Sequence, residues 1–161
     1  MRDGGAFPDP SEARSMILPD INLLVYAHNE ASRFHPAALR WWVDVMREGK
    51  PLGLCWANMM GFVRLVTHPA IQTNPLSVEN ALAITDSWFD QANVQWLHPG
   101  QRHYPLFGSL LKAVGTGGNL VTDAHLAALA IEHQCELHSN DVDFARFPGL
   151  RWVNPVATPR A

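Results

Sequence analysis

Cysteine is nearly absent from this chain. Cys55 and Cys135 are the only two in 161 residues, and with no Cys-x-x-Cys pair neither a disulfide framework nor a cysteine zinc site is supported. Long apolar runs are missing as well: no segment approaches the ~20 residues that span a bilayer, and the first fifteen residues lack the apolar centre of a signal peptide. No membrane association is therefore expected, and a reducing cytoplasm is the expected setting. Positive charge is not in surplus, since 12 basic residues face 15 acidic ones for a net charge of -3. That balance excludes a broad basic field while leaving local basic patches open. Eight histidines occur without His-Glu-x-x-His or paired Cys/His spacing, so packing, capping and surface roles are expected for them.

What is present is apolar and periodic. A 47% hydrophobic chain of this length can bury roughly two-thirds of its unfolded surface as one domain. Residues 1–15, rich in Gly, Pro and charge, read as a disordered extension, with Met16 as an alternative start; residues 16–155 form the domain and 156–161 a tail. Within the domain, short strands alternate with helices. Strands are expected at Ile17–Pro19, Leu52–Cys55, Val94–Leu97, Cys135–His138 and Arg151–Val153. Helices are expected from Ile21, from Pro36 with Leu39, Trp42, Val43 and Met46 inward, and from Trp56 to Thr67. Further helices start at Ser77, with Val78, Ala81, Leu82, Thr85, Trp88 and Phe89 in register, and span His103–Val114. The last is capped by Thr122, which places Asp123 in the first turn and continues its stripe to His133. The alternation implies an α/β fold with a mainly parallel central sheet covered by helices on both faces.

Four aspartates stand where the apolar segments end or begin: Asp20 after the first strand, Asp123 at a helix start, and Asp141 and Asp143 just past the fourth strand. Taken singly, each has an ordinary use as a cap, a helix-end charge or an Asx turn. Taken together, they lie where open parallel sheets place their ligands, outside the carboxyl ends of strands near a topological switch. If the first and fourth strands are neighbours, Asp20 and Asp141 face one crevice that Asp123 can approach from its helix. Converging carboxylates repel until a proton or cation neutralises them, and an all-oxygen cluster suits magnesium or manganese. Asn22, Ser139 and Asn140 are candidates for supporting hydrogen bonds, and Arg33, Arg64, Arg102 and Arg146 for phosphate contacts. His125 is about 200° from Asp123 around a helix and is not expected to share its face.

Three segments, Leu18-Pro-Asp-Ile-Asn-Leu-Leu-Val-Tyr-Ala, Asn119-Leu-Val-Thr-Asp-Ala-His-Leu-Ala-Ala-Leu-Ala-Ile-Glu-His and Ser139-Asn-Asp-Val-Asp-Phe-Ala-Arg-Phe-Pro-Gly-Leu, resemble PIN-domain ribonucleases, above all the VapC toxins of toxin-antitoxin modules. The likeness covers Met16 to Pro155. It implies a single PIN-like domain with five parallel strands, a homodimer, and an endoribonuclease toxin that is cytoplasmic and depends on magnesium or manganese. It also implies an RNA substrate and a cognate VapB-like antitoxin that inserts a peptide into the RNA groove. By the same resemblance Asp20, Asp123 and Asp141 are metal-site residues, and Asp143 is a fourth catalytic acid acting directly or through water. The family pattern carries another acid on the helix after the second strand, and this chain has none there. The gap falls near Gly61, where Asn58 or a water is expected to supply an oxygen and one well-held cation is expected in place of two. Other readings stay open: a degenerate PIN domain that only binds RNA or protein, or an aspartate-nucleophile phosphatase or dehalogenase. The last requires a second acid where Asn22 stands, and a lysine from only Lys50 and Lys112.

Overall fold

The computed structural model of the protein describes residues 15–157. The expected N-terminal extension, apart from Ser15, and the tail beyond Ala157 lie outside the described residues. Elements follow in the order β1 (Ile17–Pro19), α1 (Ile21–His28), α2 (His35–Arg47), β2 (Leu52–Leu54), α3 (Trp56–Thr67), α4 (Val78–Phe89) and β3 (Val94–Trp96). They continue with α5 (His103–Val114), α6 (Leu120–Glu132), β4 (Glu136–His138), a 3-10 turn (Val142–Arg146) and β5 (Trp152–Val153). The five strands form one sheet in the order β3-β2-β1-β4-β5, and every pairing is parallel. The chain steps outward from β1 through β2 to β3, then returns to the other side of β1 for β4. The topological switch thus lies between β1 and β4, where Ile17, Leu18 and Pro19 pair with Glu136, Leu137 and His138.

Successive strand side chains point to opposite faces, and each face has its own core. Ile17, Leu52 and Leu54 face a cluster built from α1 to α4 with Leu23, Leu24, Phe62 and Trp88, whereas Leu18 and Leu137 face one built from α5 and α6 with Leu110, Leu126 and Leu129. Helix α6 is buried on almost its whole circumference, with Ala124 and Leu126 through Ala130 all inaccessible. It therefore shows no clean amphipathic stripe, and His133, expected to continue one, lies exposed at the C-cap.

The helix limits expected for α3 and α5 match, and Ser77 caps α4 by accepting from Asn80 N. Helix α2 is rotated by about one residue from expectation: Ala38, Trp41 and Val45 are buried, while Leu39 and Val43 are exposed. The Trp41 indole fixes this rotation by donating to His138 Nδ1 at 3.0 Å. Val78 and Leu82 of α4 are likewise exposed, the inward face being Ala81, Thr85 and Trp88. Helix α6 begins at Leu120, before the expected Thr122 cap, because Leu120 N and Val121 N bond back to Gly117 O and Gly118 O. Gly118 takes φ +60 there, a left-handed setting that costs glycine nothing. Asp123 nonetheless falls in the first turn.

One buried side chain ties α3 to the end of β1. Asn58 donates to Pro19 O at 2.8 Å and accepts from Cys55 N at 2.9 Å and from Cys55 Sγ at 3.2 Å. Asn58→Ala leaves a buried carbonyl and a buried N–H unpaired, and a loss of about 1–3 kcal/mol is expected in urea unfolding; an unchanged midpoint would show that the brace carries no stability.

Candidate metal centre

Asp20 follows β1 directly and is 4% exposed, the most buried acid of the candidate group. Its backbone N–H extends the β1–β4 ladder to His138 O at 2.8 Å. Its Oδ2 accepts from the buried Ser139 hydroxyl at 2.9 Å, and the same Ser139 Oγ accepts from Asp141 N at 3.0 Å. One serine thus couples the loops that leave the two strands flanking the switch. Asp141 in turn accepts from Asp143 N through Oδ1 at 2.9 Å, an Asx turn that starts the 3-10 segment. Asp123 approaches from the first turn of α6.

Electrostatics places the four carboxylates in one field. Burial raises the Asp20 pKa, hydrogen bonds from Ser139 and from the Ile21 and Asn22 backbone oppose that, and the charge of Asp141 raises it again. Asp123 is pushed up to about 7, first by burial and then by Asp20, Asp141 and Asp143. The helix N-terminus expected to favour its anion is worth only about 0.3–1 kcal/mol at an ordinary site, too little to offset three neighbouring aspartates. Among the described residues, no three His, Cys, Asp or Glu side chains are gathered tightly enough to hold an ion as they stand. The arrangement is a set of carboxylates whose charges act against one another's ionisation.

Several expectations change. Asn58 does not turn an oxygen to the cluster, because both ends of its amide are used in bracing Pro19 and Cys55. The Asn22 side chain is exposed; its backbone N–H is what favours ionised Asp20. A Cβ on Gly61 would stand 2.6 Å from Ile21 Cδ1 and 2.9 Å from Cγ2, so Ile21 fills the space beside this glycine, near which the sequence lacks the expected helix acid. His125, which the helical wheel separates from Asp123, pairs with His103 at 2.9 Å, and Glu132 Oε2 stands 3.5 Å from the other His103 nitrogen. No spacing in the sequence signals that α5–α6 cluster, since its members sit on two helices. Among the arginines, Arg146 bonds Val114 O and stands 3.9 Å from Asp143. Of the lysines that a phosphatase would need, Lys50 precedes β2 at the opposite end of the sheet from Asp20, and Lys112 is exposed on α5.

A family model described as the PIN domain matches residues 17–150. The chain belongs to the PIN-domain family. It is similar to ribonuclease VapC33 of Mycobacterium tuberculosis, with 40% identity over 141 residues covering 88% of this chain and 99% of that protein. Ribonuclease VapC37 of the same organism is 39% identical over 142 residues, with the same two coverages of 88% and 99%. In fold it matches VapBC-1 of nontypeable Haemophilus influenzae with a TM-score of 0.63 at 16% identity, covering 88% of this chain and 99% of that one.

Two outcomes test this geometry. Gly61→Glu is expected to lower stability by about 1–3 kcal/mol through overpacking, and Ile21→Ala in the same chain to recover part of it; equal unfolding midpoints for both would mean that Ile21 does not occupy the space. Because folded Asp123 holds its proton up to about 7 against an ordinary 3.8, the folded state binds more protons between those values, and its stability falls as pH rises through that window. In EDTA, Asp123→Asn should therefore gain stability over the wild type at pH 8 and lose that advantage near pH 4; a difference independent of pH would contradict the shift.

Proposed function

We propose that this chain is a divalent-cation-dependent endoribonuclease, acting as the toxin of a toxin-antitoxin pair. The observation that carries the reading is the convergence of Asp20, Asp123 and Asp141, with Asp143, at the β1–β4 switch under a field that pushes Asp123 up to about 7. Relatives named ribonucleases, matched over nearly their whole length, support RNA as the substrate. Asp20, Asp123 and Asp141 would hold magnesium or manganese, with Asp143 acting directly or through water. When bound, such a cation offsets the carboxylates, neutralises phosphate charge and lowers the pKa of a water molecule.

The residues divide the remaining work. Ser139 fixes Asp20 by donating to Oδ2, and Asp20 or Asp141 would orient an attacking water and take its proton. Asp143 N holds Asp141 Oδ1 and so sets the direction of that carboxylate. Attack in line on the phosphorus needs no covalent enzyme intermediate. A small VapB-like antitoxin and a second copy of the chain are the proposed protein partners. Exposed Trp56, Met60, Leu82 and Trp96 are apolar surface that such partners could cover. A cytoplasmic setting belongs to the same proposal, supported by two buried free cysteines.

Purified protein incubated with total RNA should cut it with magnesium or manganese, stop with EDTA and recover when the cation is restored. Asp20→Asn should lower the rate at least about 100-fold while circular dichroism stays native. Retention of RNA without cutting under every cation would instead support a binding-only PIN domain, the reading that the filled space at Gly61 favours.

A further inference from the structure

The turn between α1 and α2 carries Arg33, whose charge acts on the same Tyr26 phenol as the charges of Asp20 and Asp141. Tyr26 lies on α1, which starts at the residue after Asp20, and helical side chains lean toward the N-terminus, so its phenol reaches back toward the acids. Burial raises the Tyr26 pKa first and the charge of Asp20 next, with Asp141 also contributing; the Asn140 side chain and Arg33 act in the opposite sense. The phenol thus feels the charge of the acids and of Arg33 together. Phe34 packs on Tyr26 with ring centroids 4.9 Å apart, and the Arg33 guanidinium carbon lies 4.7 Å from the Phe34 centroid. The turn is fixed by His35 Nδ1 against Tyr26 O at 2.8 Å and by Phe34 N donating to Ser32 Oγ at 3.2 Å.

Arg33 is exposed and, among the described residues, forms no salt bridge. Stacking on an aromatic face orders the guanidinium in advance, so less side-chain freedom is lost when its N–H groups meet a phosphate. An acidic cleft in a chain of net charge -3 repels RNA, and a fixed cation at its edge opposes that repulsion locally. We propose that Arg33, laid over Phe34 and backed by Tyr26, is the phosphate-binding residue that positions RNA across the carboxylates, on a phosphate adjacent to the one cut. This rests on the nuclease reading above.

The test compares wild type, Arg33→Ala, Arg33→Lys and Phe34→Leu, using anisotropy of a fluorescein-labelled hairpin RNA in magnesium over a salt series and steady-state cleavage of an RNA that the wild type cuts. Arg33→Ala should raise Kd and KM about tenfold, leave kcat within about twofold, and make the slope of log K against log salt shallower by about one. Arg33→Lys should keep the wild-type salt slope with weaker binding, and Phe34→Leu should fall between wild type and Arg33→Ala. An unchanged slope and KM in Arg33→Ala, or a loss confined to kcat, would overturn the assignment of Arg33 while leaving a cutting wild type as a nuclease. A wild type that neither binds nor cuts RNA removes both readings.

Discussion

The Asp20 N–H donates to the His138 carbonyl, one residue beyond the last paired positions of β1 and β4. That bond extends the parallel β1–β4 pairing, where the strand order switches direction, and the candidate centre is arranged around it. Because β1 and β4 are adjacent, the loops leaving them share a crevice, and Ser139 can touch Asp20 Oδ2 and Asp141 N with a single hydroxyl. Behind the sheet the same register is held by buried polar contacts: Trp41 on His138, and Asn58 on Pro19. A slip of one residue would turn Leu18 and Leu137 out of the α5–α6 core and send Asp20 to the wrong face.

Burial and repulsion set the character of the centre more than any single residue does. Asp123 stands at the end of a helix where an anion is favoured, yet it holds its proton to about 7 because burial and three neighbouring charges act against ionisation. The same unfavourable field is what the proposed cation would relieve. Ile21 packs against Gly61, so that position has no room for a larger side chain without a shift of Ile21.

Much of this was legible before any coordinates. The strand and helix order, the limits of α3 and α5, the Ser77 cap and the position of each aspartate at an element boundary follow from local periodicity and capping chemistry, which depend on neighbours in sequence. The failures share a cause. Leu39 and Val43 fit a helical stripe as well as Ala38 and Val45 do, and only the partner of Trp41 chooses between them. Thr122 is a better cap than Asn119 on residue type, but the Gly117–Gly118 turn starts the helix earlier. Asn58 offers an oxygen by composition and loses it to Cys55 once folded.

By itself the sequence determined the α/β alternation, the four acids at the sheet's carboxyl edge and the missing helix acid, because these are matters of residue type and short-range spacing. Only the tertiary structure decided that Ser139 serves two aspartates, that Ile21 fills the space beside Gly61, that His103 finds His125, and that Arg33 lies over a Phe34 ring packed on Tyr26. Except for the short-range contacts of Arg33 with Phe34 and of Ser139 with Asp141, these contacts join residues from separate elements. Their existence depends on strand order and helix rotation, which packing of the whole domain fixes and no local pattern encodes.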